Sequence, residues 1–353
     1  MDFDIVLVLL FWNLKFYYTL FMNYSVLQNF KKKDLYTDPF PYILIRNALP
    51  EALYKRLQKE TPKDYIMDIN ENNKRGNIYL KDIEKNEKYK LWSEFLKYHC
   101  SKDFFDEVIK IFEKSINDLY PNKLDIINKL ENVSFGPGRK IYSSAHEDRK
   151  LIRNLRLSNV PIKEIYTTFT PDSDQSNNIL STEANYAYHT NVIEKSVQRG
   201  IHLDNEFRLW TGLFYLRDEK DNSKGGDLYL HKWKNNYDLN KKKFIILTEK
   251  IDKTNWSFQE HHTEPFKKVG YEANTLIITL ATINALHGLT ARDTTNYLRE
   301  FAFLSGRIPF EIYDPKLSLI EKLKRPELKI KEKIKILINF IYQKIYKFLK
   351  INK

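Results

Sequence analysis

The sequence predicts a mainly β protein with flanking helices, its strands forming a sandwich or barrel behind a helical N-terminal part. Three observations lead there. From about residue 132, short runs of β-branched and aromatic residues alternate with polar turns such as DEKDNSKGGD at 218–227. Ahead of that point, apolar residues recur at helical spacing. Aromatic residues, mostly Tyr and Phe, make up 14% of the chain, which favours a strand-rich core. With 42% apolar residues in 353, the chain can bury a sizeable core.

Taken in order, Tyr42 to Ile45 reads as a short apolar strand leading into a helix. Pro50 suits that helix's first turn, and Leu49, Leu53 and Leu57 fall on one face. A second helix is expected from about Ser101 to Tyr120, where Phe104, Phe105, Val108, Ile109, Phe112 and Ile116 make a core-facing stripe. Strands are expected at Ile165–Phe169, Leu209–Leu216, Asp227–Leu230, Phe244–Leu247, Thr275–Leu280 and Tyr297–Leu304. The Gly225-Gly226 pair reads as a backbone turn. No Gly-rich phosphate loop is visible, which argues against a nucleotide cofactor on a Rossmann unit.

The ends differ from the body. Residues 5–12 (IVLVLLFW) are continuously apolar, but Asn13 and Lys15 break the run before FYYTLFM. The acidic start at Asp2 and Asp4 does not suit a secretory signal. The segment is borderline for a membrane span, which needs about 20 apolar residues. It reads as an extension, either an anchor or a mis-assigned start ahead of Met22. At the other end, Ile330, Ile334, Leu337, Ile338, Ile341, Ile345 and Phe348 trace one face of a helix, with Lys329, Lys333, Lys344 and Lys347 elsewhere on it. Packing on the domain or on a second subunit is the plainer expectation; an anionic membrane surface is the sharper one.

The formal net charge is +12, yet residues 314–353 alone carry twelve Lys/Arg and four Asp/Glu. The body is therefore only mildly basic, which argues against nucleic acid as a partner. The one cysteine, Cys100, has no partner for an internal disulfide and reads as a buried thiol. This fits a reducing cytoplasm, with membrane association through residues 5–22 or the C-terminal helix as the alternative.

The chemistry concentrates in RGIHLDNEFRLWTGLFYLR at 199–217. On an extended strand, His202 and Asp204 project from the same face. An imidazole beside a carboxylate supplies two ligands of a 2-His-1-carboxylate iron site. Alone, the pair reads as easily as a surface His and a turn Asp. A third ligand is expected at His287, after NTLIITLATINAL, which reads as a buried strand running into the site. Arg299 follows at the start of another strand, sharing a face with Phe301 and Phe303. A guanidinium inside a barrel calls for an anion, and a dicarboxylate pairs with it bidentately. Arg292 is a weaker candidate for the same role. His189 is expected in a loop, Asn284 in support of the site, and Trp210, Tyr215 and Tyr229 in core packing or lining the barrel.

The pieces DPFPYILIRNALP at 38–50, HLDNEFRLWTGLFYLRD at 202–218, GGDLYLHKW at 225–233, and NALHGLTAR and LREFAFLSG within 284–306 resemble the iron(II)/2-oxoglutarate-dependent oxygenases, in their prolyl-4-hydroxylase-like branch. The resemblance threads through residues 38 to 306. It implies a double-stranded β-helix, a jelly-roll relative of the cupins. It implies Fe(II) on His202, Asp204 and His287, and 2-oxoglutarate with its distal carboxylate on Arg299. O2 would be the co-reactant, with ascorbate as a possible aid, and a C–H bond would be hydroxylated with release of succinate and CO2. The sequence departs from the family pattern at Ala291, where Pro is common, and at Glu300, where a second Arg is common. The chain then divides into an apolar extension (1–22), an oxygenase domain (23–312) and a basic amphipathic tail (313–353). A cupin-like metal protein of different chemistry and a non-catalytic jelly-roll binding module are the alternatives. The substrate is left open among a small molecule, a peptide and a glycan, and so is homo-oligomer formation.

Overall fold

The computed structural model describes residues 23–67, 69–134, 179–204, 208–234, 237–248, 260–308, 310 and 312–313, together with 330, 331, 333, 334, 337, 338 and 341. In chain order its elements are β1 (Leu35–Tyr36), β2 (Tyr42–Arg46), α1 (Glu51–Lys59), β3 (Arg75–Tyr79), α2 (Leu80–Ile83), α3 (Lys90–His99), α4 (Lys102–Leu119), α5 (Leu124–Ile127) and β4 (Glu131–Ser134). There follow β5 (Ile179–His189), β6 (Arg208–Tyr215), β7 (Leu228–Trp233), α6 (Leu239–Thr248), β8 (Thr263–Val269), β9 (Thr275–Leu280), β10 (His287–Leu289) and β11 (Arg299–Arg307).

The strands form two sheets. The larger runs β1-β2-β9-β6-β11-β5-β3, all neighbours antiparallel, with β4 joined parallel to β5. The smaller runs β10-β7-β8, also antiparallel. Alternation along the strands of the large sheet gives it two faces. Ile43, Ile45, Phe214, Leu276, Ile278, Ala302 and Leu304 pack in one core with the helices, whose buried residues include Leu53, Leu57, Trp92, Phe95, Phe104 and Phe112. Tyr42, Leu44, Tyr215, Ile277, Phe301 and Phe303 pack in a second core with Leu228 and Leu230 of the small sheet. The chain is thus a β-sandwich with helices on one outer face.

Local sequence explains the main helices. Pro50 stands at the N-cap of α1, just ahead of the first turn expected for it. Ser101 caps α4 by accepting from the Phe104 amide, and the stripe expected there is buried. The Trp92 indole is buried and donates to the Leu57 carbonyl at 2.9 Å, fastening α3 to α1. The first 120 residues are not a helical layer alone, because β1, β2 and β3 leave it to join the large sheet.

Two expectations are corrected. Phe244–Leu247 belongs to helix α6: the Asp238 carboxylate accepts from the Lys241 amide at 2.7 Å, an N-cap that outweighs the β-branched Ile245 and Ile246. His189 is the last residue of β5, paired on both sides, and not in a loop. In the tail, Ile330, Ile334, Leu337, Ile338 and Ile341 are exposed, and Ile345 and Phe348 lie outside the described residues. Among the described residues, no helix is long and apolar enough to cross a membrane. The apolar stretch 5–12 and the strand expected at 165–169 lie outside the described residues.

Candidate metal centre and anion site

Strand β10 and the chain before β6 meet edge to edge. The His202 amide donates to the His287 carbonyl at 2.8 Å, and the His287 amide returns the bond at 3.0 Å. This two-way bridge replaces the regular strand expected around His202. It sets the two imidazoles 4.3 Å apart between centroids, at 61°. Gly288 makes the approach feasible: a Cβ there would lie 2.9 Å from the Ile201 nitrogen and 3.0 Å from the Gly200 carbonyl carbon. Asp204 follows two residues after His202, and its Oδ2 is 3.8 Å from the His287 Nε2. One ligand atom from each of His202, Asp204 and His287 lies within 4.8 Å of the others, and all three residues are buried.

The tautomers follow from the bonds. His202 Nδ1 is 2.8 Å from the Gly200 carbonyl, and His287 Nδ1 is 2.9 Å from the Ala285 carbonyl. A carbonyl oxygen only accepts, so each Nδ1 carries the proton and each Nε2 presents a lone pair. Burial, the largest influence on each, pushes both pKa values down, well below the usual range for His202. Burial also works against the Asp204 charge. The Arg208 guanidinium, 3.3 Å away, and then the histidines outweigh it and hold the carboxyl below its usual range. Two neutral imidazoles and one carboxylate form a donor set suited to a divalent metal.

Arg299 opens β11 in the large sheet. It is 1% exposed, and its guanidinium sits 5.0 Å from the Tyr215 ring, 5.0 Å from Tyr271 and 5.1 Å from Phe301. Nε donates to the Gly226 carbonyl at 2.9 Å, while Nη2 is buried with no partner among the described residues. Gly226 has φ +72, and a Cβ there would press within 2.9 Å of the Arg292 side chain. The glycine turn read from the sequence therefore also seats both arginines. Arg292 is buried too. Nη2 donates to the Tyr297 carbonyl at 2.9 Å, and Nε and Nη1 lack partners among the described residues.

No family model matches the chain, and no curated protein matches it. Among solved structures it is similar to a prolyl-4-hydroxylase from Pseudomonas putida, at 10% identity and a TM-score of 0.33, over 76% of this chain and 92% of that one. It is similar to HygX from Streptomyces hygroscopicus, solved with nickel and 2-oxoglutarate bound, at 12% identity and a TM-score of 0.32, over 76% and 83%. A third is a prolyl hydroxylase from Trichoplax adhaerens in complex with a hypoxia inducible factor peptide fragment, at 11% identity and a TM-score of 0.31, over 75% and 83%.

The remaining candidates separate. Tyr215 lines the face beside Arg299, whereas Trp210 packs among the helices against Phe104 and Phe105. Tyr229 faces outward into a groove with His231, Thr263 and Leu289. Asn284 accepts from Lys242 at 3.0 Å. Glu300 points to the helix side, where the Tyr186 hydroxyl donates to it. Cys100 is buried, as expected of a structural thiol. Two residues were missed. Arg208 had a faint signal, a base four residues after Asp204. Arg75 had none, since only strand pairing brings β3 to this face.

Proposed function

We propose that the chain is an iron(II)- and 2-oxoglutarate-dependent oxygenase that hydroxylates a C–H bond, with His202, Asp204 and His287 as metal ligands and Arg299 as the anchor of the cosubstrate's distal carboxylate. The observation that carries this reading is a shared interior between the two sheets, bordered on one side by a neutral His-Asp-His donor set and on the other, behind Phe301, by a buried guanidinium with an unused N–H among the described residues. A buried polar group without a partner is costly, and a dicarboxylate satisfies it. Arg292, buried beside Gly226, adds positive potential to the same end.

The residues fit the group they would hold. Iron(II) with 2-oxoglutarate and O2 supplies the power to oxidise an unactivated C–H bond, releasing succinate and CO2. The protein's work is to bind and orient. The Gly200 and Ala285 carbonyls fix the imidazole rings, and Arg208 keeps Asp204 ionised. The Tyr215, Tyr271 and Phe301 rings hold the Arg299 guanidinium in place and exclude water around it. On this reading the two sheets are a double-stranded β-helix within an oxygenase domain spanning residues 23–312. The substrate is a small molecule, a peptide or a glycan.

The test is succinate formation from 2-oxoglutarate by the anaerobically purified protein, given Fe(II), ascorbate and air. Succinate above background, lost in His202→Ala and Arg299→Ala, supports the assignment. Absence of both turnover and metal-dependent 2-oxoglutarate binding would overturn it.

A further inference from the structure

The face that carries Arg299 is more polar than a sandwich interior requires. Register sets its side chains in rows. Arg75 of β3, His189 of β5 and Arg299 of β11 lie directly opposite one another. The next row is Asn77, Ala187, Phe301 and Tyr215, followed by Tyr79, Asn185, Phe303 and Leu213, and then Glu183, Ser305 and Thr211. Residues two apart on a strand share a face, so these rows look toward the same space.

Two cations converge there. The Arg75 guanidinium is 4.8 Å from the Phe303 ring centroid and the Arg208 guanidinium 5.3 Å. Arg208 also touches Asp204, which places the pair beside the triad. Desolvation first, then Arg208 and Arg299, work against the Arg75 charge, and Glu183 opposes them. Like charges gathered in a partly dry site cost stability unless something answers them. Next to them, Asn185 Oδ1, Ser305 Oγ, Thr211 Oγ1 and Arg208 Nε are buried without a partner among the described residues. Buried polar atoms are as a rule satisfied, so a cluster of orphans on one face marks the place of a polar ligand.

We infer that the primary substrate carries an anionic group, a carboxylate or a phosphate, which Arg75 and Arg208 hold over Phe303 beside the triad, with its polar body against Asn185, Ser305 and Thr211. This rests on the oxygenase reading above. Glu183, the strongest charge acting on Arg75, answers one of the two cations; with Asp204 given to the metal and Arg299 to the cosubstrate, one positive charge at Phe303 is left for the substrate. Arg75 acts as a bidentate fork there and Phe303 as its platform.

The test uses the full chain loaded with Mn(II) and saturating 2-oxoglutarate. Paramagnetic relaxation of inorganic phosphate (31P) and of 13C-acetate reports only an anion seated near the metal. At least one probe is expected to relax, with apparent affinity weakened about tenfold or more in Arg75→Gln and largely restored in Arg75→Lys. Asn185→Asp, which also gives up the amide's bond to Glu183, is expected to weaken binding by placing a negative charge against the anion, and urea unfolding checks that each variant is folded. Relaxation of phosphate alone assigns a phosphate group, and of acetate alone a carboxylate. If neither probe relaxes, or the variants relax them like the native chain, the inference fails and the oxygenase reading stands. If Mn(II) and 2-oxoglutarate do not bind, both fail.

Discussion

Gly288→Ala is the substitution in which the packing argument bears most directly on the metal centre. The added methyl carbon would lie 2.9 Å from the Ile201 nitrogen, 3.0 Å from the Gly200 carbonyl carbon and 3.0 Å from the Ile201 Cα. All three are backbone atoms and cannot swing aside. Ordinary contact needs about 3.5–4.0 Å, so segment 200–202 must retreat by roughly 0.5–1 Å. That retreat strains the two-way bridge between His202 and His287, whose bonds are 2.8 and 3.0 Å, and moves the Gly200 carbonyl that orients His202. Metal–ligand distances tolerate only about 0.2 Å. Loss of an orienting contact of this kind weakens metal affinity about 10–100-fold. Titration of the apoprotein with Mn(II), followed by EPR of the free ion, measures it directly. Unfolding of the apoprotein by urea should move little, because β10 has three residues at one edge of the small sheet. Native Mn(II) affinity in Gly288→Ala would refute the claim that this close approach shapes the site.

Three further outcomes follow from the same geometry. Gly226→Ala should cost about 1–2 kcal/mol of stability for its left-handed backbone. It should also weaken 2-oxoglutarate binding about tenfold or more, read by calorimetry with Mn(II) present, because its methyl pushes on the Arg292 and Arg299 side chains. Asn274→Ala should lower stability in urea by about 2–4 kcal/mol. The Asn274 side chain accepts from the Leu49 amide at 2.9 Å and donates to the Leu49 carbonyl at 2.8 Å, and both groups are buried. His99 gives a pH signature. Burial pushes its pKa down to about 3, and it stays neutral in the folded chain, donating from Nδ1 to the Phe95 carbonyl and accepting the Val26 amide at Nε2. The unfolded chain takes up that proton from about pH 6.5 downward, so the contribution is full above 6.5 and is lost as pH falls toward 3. His99→Gln should flatten the acid-side fall of the unfolding free energy in urea by roughly 1 kcal/mol per pH unit; an unchanged slope would rule this out.

How much could be read from the sequence depended on the range of each interaction. His202 and Asp204 were legible because two residues of extended chain set their common direction. Arg299, Phe301 and Phe303 were legible for the same reason, and the structure places them on one face. Helix α4 announced itself by its stripe and its cap. What depends on long-range register was not legible. Arg75 comes level with Arg299 only because β5 lies between them, and no local pattern in NNKRGNIYL indicates that. His189 looked like a loop residue because the polar Thr190 and Asn191 follow it, yet β3 and β11 hold it from both sides. Helix α6 was hidden by its isoleucines, since an N-cap at Asp238 is a single-residue signal. The aromatic cage around Arg299 assembles Tyr215, Tyr271 and Phe301 from separate segments.

The central claim is that the triad and Arg299 act on one bound cosubstrate. The most direct measurement is anaerobic absorption spectroscopy of the protein with Fe(II) and 2-oxoglutarate, where a keto acid chelated to protein-bound iron gives a visible charge-transfer band. The native chain is expected to give the band, His287→Ala to lose it, and Arg299→Gln to give a saturable band that needs at least about tenfold more 2-oxoglutarate. A native chain that gives no band, or an Arg299→Gln variant that saturates at the native concentration, would contradict that claim.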